Sequence, residues 1–339
     1  MSIRIAVLGY GFIADLHTRA AQSAGATVVS VTGHRPDRAA EFAARHGVER
    51  SGADWLAAVS ADDVDAVVVG TPNSLHHPQS MAAIAAGKHV LVDKPMALDT
   101  AEAAEMRDAA LAGGVTLCVG HMWRYRDEVT ALRDRIASGD LGRVVRTRGY
   151  GIHAGWGPTG WFRDPVLSGG GALIDMGIHA IDTVRFLLGD PAPVRVVASI
   201  GTGFDDPAST AGTADPLIDT DGVVLVDWSD GVRSVVESGW WQPVLEGVEA
   251  ETEVYATGGH ARIWPAFTAS SPPPADYEHC ALPMYAAQMA DFLTCCGTGA
   301  TPRASAEVGL EALRIVEAAY RSAAEVDAGS SRRTEGGGS

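Results

Sequence analysis

The first 120 residues repeat one pattern: an apolar run stops at a glycine or proline, and a segment with apolar positions at helical spacing follows. Residues 3–8 (IRIAVL) predict a strand that ends at Gly9, and residues 12–24 predict a helix dominated by small side chains. Strands over 27–33 (TVVSVTG), 64–70, 89–95 (HVLVDKP) and 115–121 (VTLCVGH) then alternate with helices over 38–46, 78–86 and 100–112. Such alternation predicts an α/β fold with a doubly wound parallel sheet over residues 1–122.

Beyond Trp123 the pattern changes. A helix over 128–136 and a turn at Gly139 lead into VVRTRGYGIH (144–153), whose alternation predicts an antiparallel strand. After a helix around 172–188, strand-like stretches begin at 194, 222, 232 and 252, joined by short turns with Gly or Asp. They predict a largely antiparallel open sheet with one face buried. A long helix over 305–325 closes this second α/β domain, residues 123–325. Residues 326–339, Gly- and Ser-rich without apolar period, are expected as a disordered tail.

Composition narrows the function classes. Across 339 residues, 46% are hydrophobic and the formal charge is −16, from 26 Lys plus Arg against 42 Asp plus Glu. Two folded domains fit this length, and the acidity opposes a nucleic-acid partner, which needs a basic face. No window has the apolar length of a membrane span, and the amino terminus runs directly into a glycine loop, so a cytoplasmic chain with no membrane partner is expected. Cys118, Cys280, Cys295 and Cys296 lack CxxC or partnered His spacing, so no metal is expected and free thiols are.

Candidate chemistry begins at GYGFIA, which places Gly9, Gly11 and Ala14 in the GxGxxA form, with Phe12 and Ile13 opening the helix. Gly9 permits the turn, Gly11 lets backbone approach a pyrophosphate, and Ala14 allows close helix packing. About twenty residues on, where NAD sites carry an acid for the ribose hydroxyls, the chain reads VTGHRPDR. Gly33, His34, Arg35 and Arg38 remove a carboxylate and offer cationic donors to a 2′-phosphate, which favours NADP(H) over NAD(H). Arg35 and Arg38 as solvated charges, with Asp37 on a ribose, is the alternative. Two more segments, TPNSLHHP with Thr71, Pro72, Asn73 and His76, and GKHVLVDKP with Asp93 and Lys94, lie at carboxyl ends of parallel strands, where open α/β sheets bind ligands. Lys94 there reads as a proton donor or carbonyl polariser, or as an ordinary surface lysine. One of His76 and His77 reads as structural. In SGGGALIDMGIHAIDTVRFLLG (168–189), Asp175, His179 and Asp182 at i, i+4, i+7 form one polar stripe opposite an apolar face.

Together with VGHMWRYR, DLGRV and the late run YAAQMADFLTCCGTGATPRASAEVGLEALRIVEAAYRSA, these motifs resemble the Gfo/Idh/MocA family of oxidoreductases over nearly the whole chain. The resemblance implies a Rossmann domain followed by an α/β domain whose sheet supports a homodimer or homotetramer. It also implies hydride exchange with a sugar or cyclitol. Lys94 matches the lysine of the family's EKP segment, and Asp175 and His179 match its DxGxH pair. His179 would then remove the hydroxyl proton while Lys94 hydrogen-bonds the same oxygen, with Asp175 orienting the imidazole. Asp93 stands where the family usually has Glu, one methylene shorter. Arg124 and Tyr125 sit where the family often places an arginine and an aromatic near the active site, and Trp156 and Trp161 are candidates to stack on a substrate ring. Two further readings stand beside this one: redox-assisted glycoside cleavage with retained cofactor, and a cofactor-sensing regulator without turnover.

Overall fold

A computed structural model describes residues 2–153, 157–204, 218–242, 251–263 and 273–335, the stretches 273–280 and 326–335 by their backbone alone. Two compact units divide it. The first comprises residues 1–126, 166–169 and 274–311, and the second residues 127–165, 170–273 and 312–339.

The first unit is built on the strands β1 (Arg4–Leu8), β2 (Thr27–Thr32), β3 (Arg50–Gly52), β4 (Ala66–Val69), β5 (His89–Val92) and β6 (Leu117–Val119). They form one sheet in the order β3-β2-β1-β4-β5-β6, and every pairing is parallel. The order reverses between β1 and β4, so the loops after these strands bound a topological switch point. β4 reads AVVV because all four of its side chains are buried. Helices α1 (Phe12–Ser23), α2 (Pro36–His46), α3 (Trp55–Ser60), α4 (His76–Ala85) and α5 (Thr100–Gly113) connect the strands. The sequence pattern does not reveal β3 or α3: β3 is Arg-Ser-Gly, without the apolar run that marks the other strands.

The second unit opens with α6 (Asp127–Ala137) and β7 (Val144–Ile152). A single turn, α7 (Pro165–Ser168), follows in sequence with its residues from 166 onward in the first unit, and in the second unit a π-helical turn over Leu173–Gly177 runs into α8 (Ile178–Leu187). Strands β8 (Pro193–Gly201), β9 (Asp221–Trp228), β10 (Arg233–Gly239), β11 (Thr252–Ala256) and β12 (Gly259–Ile263) complete a six-stranded sheet ordered β12-β11-β7-β10-β9-β8. The sheet is mostly antiparallel, yet β7 pairs parallel with β10, which corrects the antiparallel expectation for β7 on that side. Alternation along one strand reports which face is buried and carries no information on the direction of its neighbour.

Helix α8 and the π turn lie against this sheet, and every residue from Ala172 to Leu187 is buried. The polar stripe expected of Asp175, His179 and Asp182 is therefore not a solvent face. Two glycines of β7 admit the helix: a Cβ on Gly149 would lie 2.9 Å from Val184 Cγ2, and one on Gly151 would lie 2.5 Å from the Met176 carbonyl carbon. The remaining helices are α9 (Pro273–Thr298) and α10 (Ala306–Glu335). α10 runs ten residues beyond the end expected near Glu325, so residues 326–335 are helical rather than tail; the segment holds no proline, and a lone Gly329 costs only about 1 kcal/mol in a helix.

Candidate active site

In the first unit, the exits of β1, β4 and β5 carry the predicted cofactor residues. Gly9 has φ +112°, and its amide donates to Thr32 O at 2.8 Å. A side chain on Gly9 would run into the Gly70 carbonyl, so glycine there lets the β1 and β4 exits approach each other. Gly11 caps α1 without a side-chain hydrogen bond, and no heavy atom lies within 4 Å of where its Cβ would be. That space in front of a helix amino terminus fits a pyrophosphate approached by bare backbone. Ala14 is fully buried, Ile13 half-buried and Phe12 45% exposed.

At the end of β2, the Gly33 amide donates to Gly52 O at 3.0 Å, and a Cβ on Gly33 would overlap the Tyr10 ring. The Tyr10 hydroxyl lies 3.0 Å from His34 Nδ1. Arg35 Nη2 donates to Asp37 Oδ2 at 2.7 Å, and Arg38 Nη1 lies 3.4 Å from Glu41 Oε2.

The TPNSLHHP segment turns inward. Thr71 Oγ1 donates to Gln79 Oε1 at 2.7 Å, and the buried Asn73 Nδ2 donates to Ser168 O at 2.8 Å. His76 is buried, with Nδ1 2.7 Å from Pro95 O and Nε2 2.9 Å from Thr71 O. Burial holds its pKa below the ordinary value, and the neutral ring donates to one of the two carbonyls. His76 is therefore held between the β4 and β5 exits, its single N–H bonded to one carbonyl and its other nitrogen facing the second. His77 faces Glu105 at 2.9 Å. Asp93 is buried against Gly120, where a Cβ would sit 2.9 Å from Asp93 Cα, so Gly120 makes room for this carboxylate. Lys94 is half-buried and joined to Pro95 by a cis peptide bond. Arg124 is 1% exposed, and the Tyr125 hydroxyl donates to Asp291 Oδ2 at 2.7 Å and receives Ala304 N at 3.2 Å. That hydroxyl serves the packing of the first unit.

In the second unit Asp175 lies in the π turn, one turn before His179, and both are buried. Two residues not singled out from sequence flank the carboxylate. Trp240 Nε1 donates to Asp175 Oδ2 at 2.9 Å, and His153 Nε2 lies 3.9 Å from the same oxygen. Their placement follows from the parallel pairing, because Ile152 is in register with Gly239 and the next residue on each strand is His153 and Trp240. The His153 amide also donates to Gly239 O at 2.9 Å. The signal available in sequence was a histidine ending one strand and a Trp pair ending another; only their parallel neighbourhood gives it meaning.

A third residue outside the sequence reading, Asp219, caps the π turn from 46 residues away. Its Oδ1 accepts Gly171 N at 2.8 Å and the Tyr320 hydroxyl at 2.7 Å, and its Oδ2 accepts Leu173 N at 2.7 Å. Burial pushes the Asp219 pKa up, against the pull of these donors. Trp241 adopts φ +53°, rare for a bulky residue, and the Arg163 guanidinium lies 5.3 Å from its ring centroid. Trp161 stacks on Phe162 with centroids 3.9 Å apart, and Trp156 lies outside the described residues.

A glycine loop at the switch point of a parallel 3-2-1-4-5-6 sheet, accompanied by a buried carboxylate and imidazole on a separate mixed-sheet unit, defines a dinucleotide-binding class of two-unit protein. Residues 3–121 match the family model described as "Oxidoreductase family, NAD-binding Rossmann fold", and residues 129–262 match the GFO/IDH/MocA C-terminal domain. The rhizopine catabolism protein MocA of Rhizobium meliloti is 30% identical over 93% of both chains. The chain belongs to the GFO/IDH/MocA family. It is also 38% identical to the 1,5-anhydro-D-fructose reductase of Ensifer adhaerens, over 55% of this chain, and the match spans 56% of that relative's length. The crystal structure of GenD2 from gentamicin A biosynthesis, in complex with NAD, superposes with TM-score 0.84 at 26% identity, covering 95% of this chain and 94% of that one.

Proposed function

We propose that the chain is an NAD(P)-dependent oxidoreductase that moves a hydride between nicotinamide and a hydroxyl-bearing carbon of a sugar or cyclitol. The observation that carries this reading is the buried Asp175–Trp240 pair one turn from His179, because a carboxylate fixed beside an imidazole is the equipment for moving a proton. When bound, nicotinamide supplies the hydride chemistry. The open space at Gly11 and the amides of α1 hold the pyrophosphate, and Arg35 and Arg38 meet the 2′-phosphate that favours NADP(H). Lys94 donates a hydrogen bond to the reacting oxygen. His179 takes the hydroxyl proton during oxidation and returns it during reduction, while Asp175 balances the imidazolium charge. The relatives named for an anhydro sugar and for rhizopine catabolism support a polyhydroxylated substrate.

The exposed face of the mixed sheet supports self-association. Val197, Val223 and Leu225 are 38%, 44% and 49% exposed there, beside the Arg195–Asp227 pair at 2.8 Å. A second copy of the chain supplies both an apolar and a charged complement to that face.

The test is a screen of sugars and cyclitols with NADP+ and NAD+, followed by Lys94→Ala and His179→Ala variants on the best substrate. The expected result is turnover that both variants abolish while nicotinamide binding persists. Ordinary turnover by the His179→Ala variant refutes the assignment. Nicotinamide that survives purification and turns over only glycosides shifts the reading to redox-assisted cleavage.

A further inference from the structure

The end of β2 holds a conflict that the sequence pattern does not reveal. Gly33 occupies the position where an acid for the ribose hydroxyls is expected, and the Tyr10 ring fills the space a side chain there would take. The nearest carboxylate on the segment is displaced to Asp37, in the first turn of α2. There it engages the cation expected to read a phosphate: Arg35 donates from Nη2 to Asp37 Oδ2 at 2.7 Å and from Nε to Asp37 Oδ1 at 3.4 Å. Arg38 faces Glu41 at a looser 3.4 Å. The side chains of Arg35 and Asp37 are 60% and 58% exposed, so the pair is exchangeable in water rather than locked. The guanidinium beside it holds the Asp37 carboxyl below the usual carboxylate range, so the acid is ionised at neutral pH.

We propose that Asp37 is a specificity-determining residue of the nucleotide site: it competes with the 2′-phosphate of NADP for the Arg35 guanidinium and so keeps the site open to both NAD and NADP. The inference rests on the reading that this end of β2 receives the adenosine ribose. NADP must draw Arg35 from carboxylate to phosphate, a cost that NAD does not meet. The preference created by Arg35 is therefore reduced by its own neighbour two residues on.

The experiment is equilibrium titration of the full chain with NADPH and with NADH, followed by nicotinamide fluorescence, for wild type, Asp37→Asn, Arg35→Ala and the double variant. Asp37→Asn is expected to tighten NADPH about fivefold, the upper range for releasing an exposed ion pair, and to leave NADH unchanged. Arg35→Ala is expected to weaken NADPH by roughly tenfold, the scale of one lost charge-assisted hydrogen bond. In the Arg35→Ala background, Asp37→Asn is expected to have no effect, because the competition has lost its object. Asp37→Ser, at the same exposed position, is expected to repeat the Asn result. Equal changes for both nucleotides, no change for either, or a gain that persists without Arg35 overturns the inference while leaving the proposed function in place. A wild-type chain that binds neither nucleotide overturns both.

Discussion

Replacing Gly151 by alanine perturbs the turn that carries Asp175 without touching any ionisable group. The new Cβ would lie 2.5 Å from the Met176 carbonyl carbon and 3.0 Å from Gly177 N, both in the turn that carries Asp175. Non-bonded carbons settle at about 3.5–4.0 Å, so the turn must retreat by about 1 Å. Overpacking of this kind costs about 1–3 kcal/mol, which a folded domain survives. Its effect on chemistry is larger, because a misplacement of about 1 Å in a catalytic constellation lowers the rate by about 100-fold. Gly149→Ala is the internal control: the nearest atom is the Val184 Cγ2 methyl at 2.9 Å, on a side chain that yields more readily than backbone. The assay is initial-rate kinetics on the substrate found by screening, with thermal unfolding and NADPH titration run in parallel. The expected pattern for Gly151→Ala is a drop in kcat of about two orders of magnitude with NADPH affinity kept, and a much smaller drop for Gly149→Ala. A Gly151→Ala protein that turns over at the wild-type rate refutes the role assigned to the turn.

Two further outcomes are open to direct measurement. Trp240→Phe removes the indole donor to Asp175 Oδ2 while keeping an aromatic ring in a fully buried position; kcat is expected to fall about tenfold with nicotinamide affinity unchanged, and an unaltered kcat would show that the indole serves packing alone. His17, on α1, is fully buried, and burial pushes its pKa from 6.5 down to about 3, so the unfolded chain binds a proton between these values that the folded chain does not. Stability is therefore lost as pH falls below 6.5, by about 2 kcal/mol at pH 5, and chemical denaturation of the wild type and of His17→Leu at pH 7 and pH 5 should show that the leucine variant loses this increment.

How far the sequence could be read depends on whether each feature is local. The β1–α1 junction is legible because the apolar run, the turn glycine and the helix start occupy eleven consecutive residues, Arg4 to Ala14, and each constrains the next. The same holds for the exits at Thr71 and Lys94. Strand β3 breaks this rule, since it is defined only by its pairing of Arg50, Ser51 and Gly52 with β2. In the second unit the decisive relations are non-local. Asp175 and His179 are visible as a helical spacing, but the residues that hold the carboxylate are not. Trp240 reaches Asp175 from 65 positions away, and Asp219 caps the turn from 46. The Trp240 contact depends on β7 and β10 running parallel, and the β7 alternation suits either direction equally well. The buried polar character of α8 follows from the same cause. Glycines at 149 and 151 let the helix lie close on the sheet, and with every residue from Ala172 to Leu187 buried its polar residues find their partners within the protein. A polar stripe in sequence therefore marks either a wet face or an interior network, and the burial of the whole helix, which the stripe does not encode, decides between them.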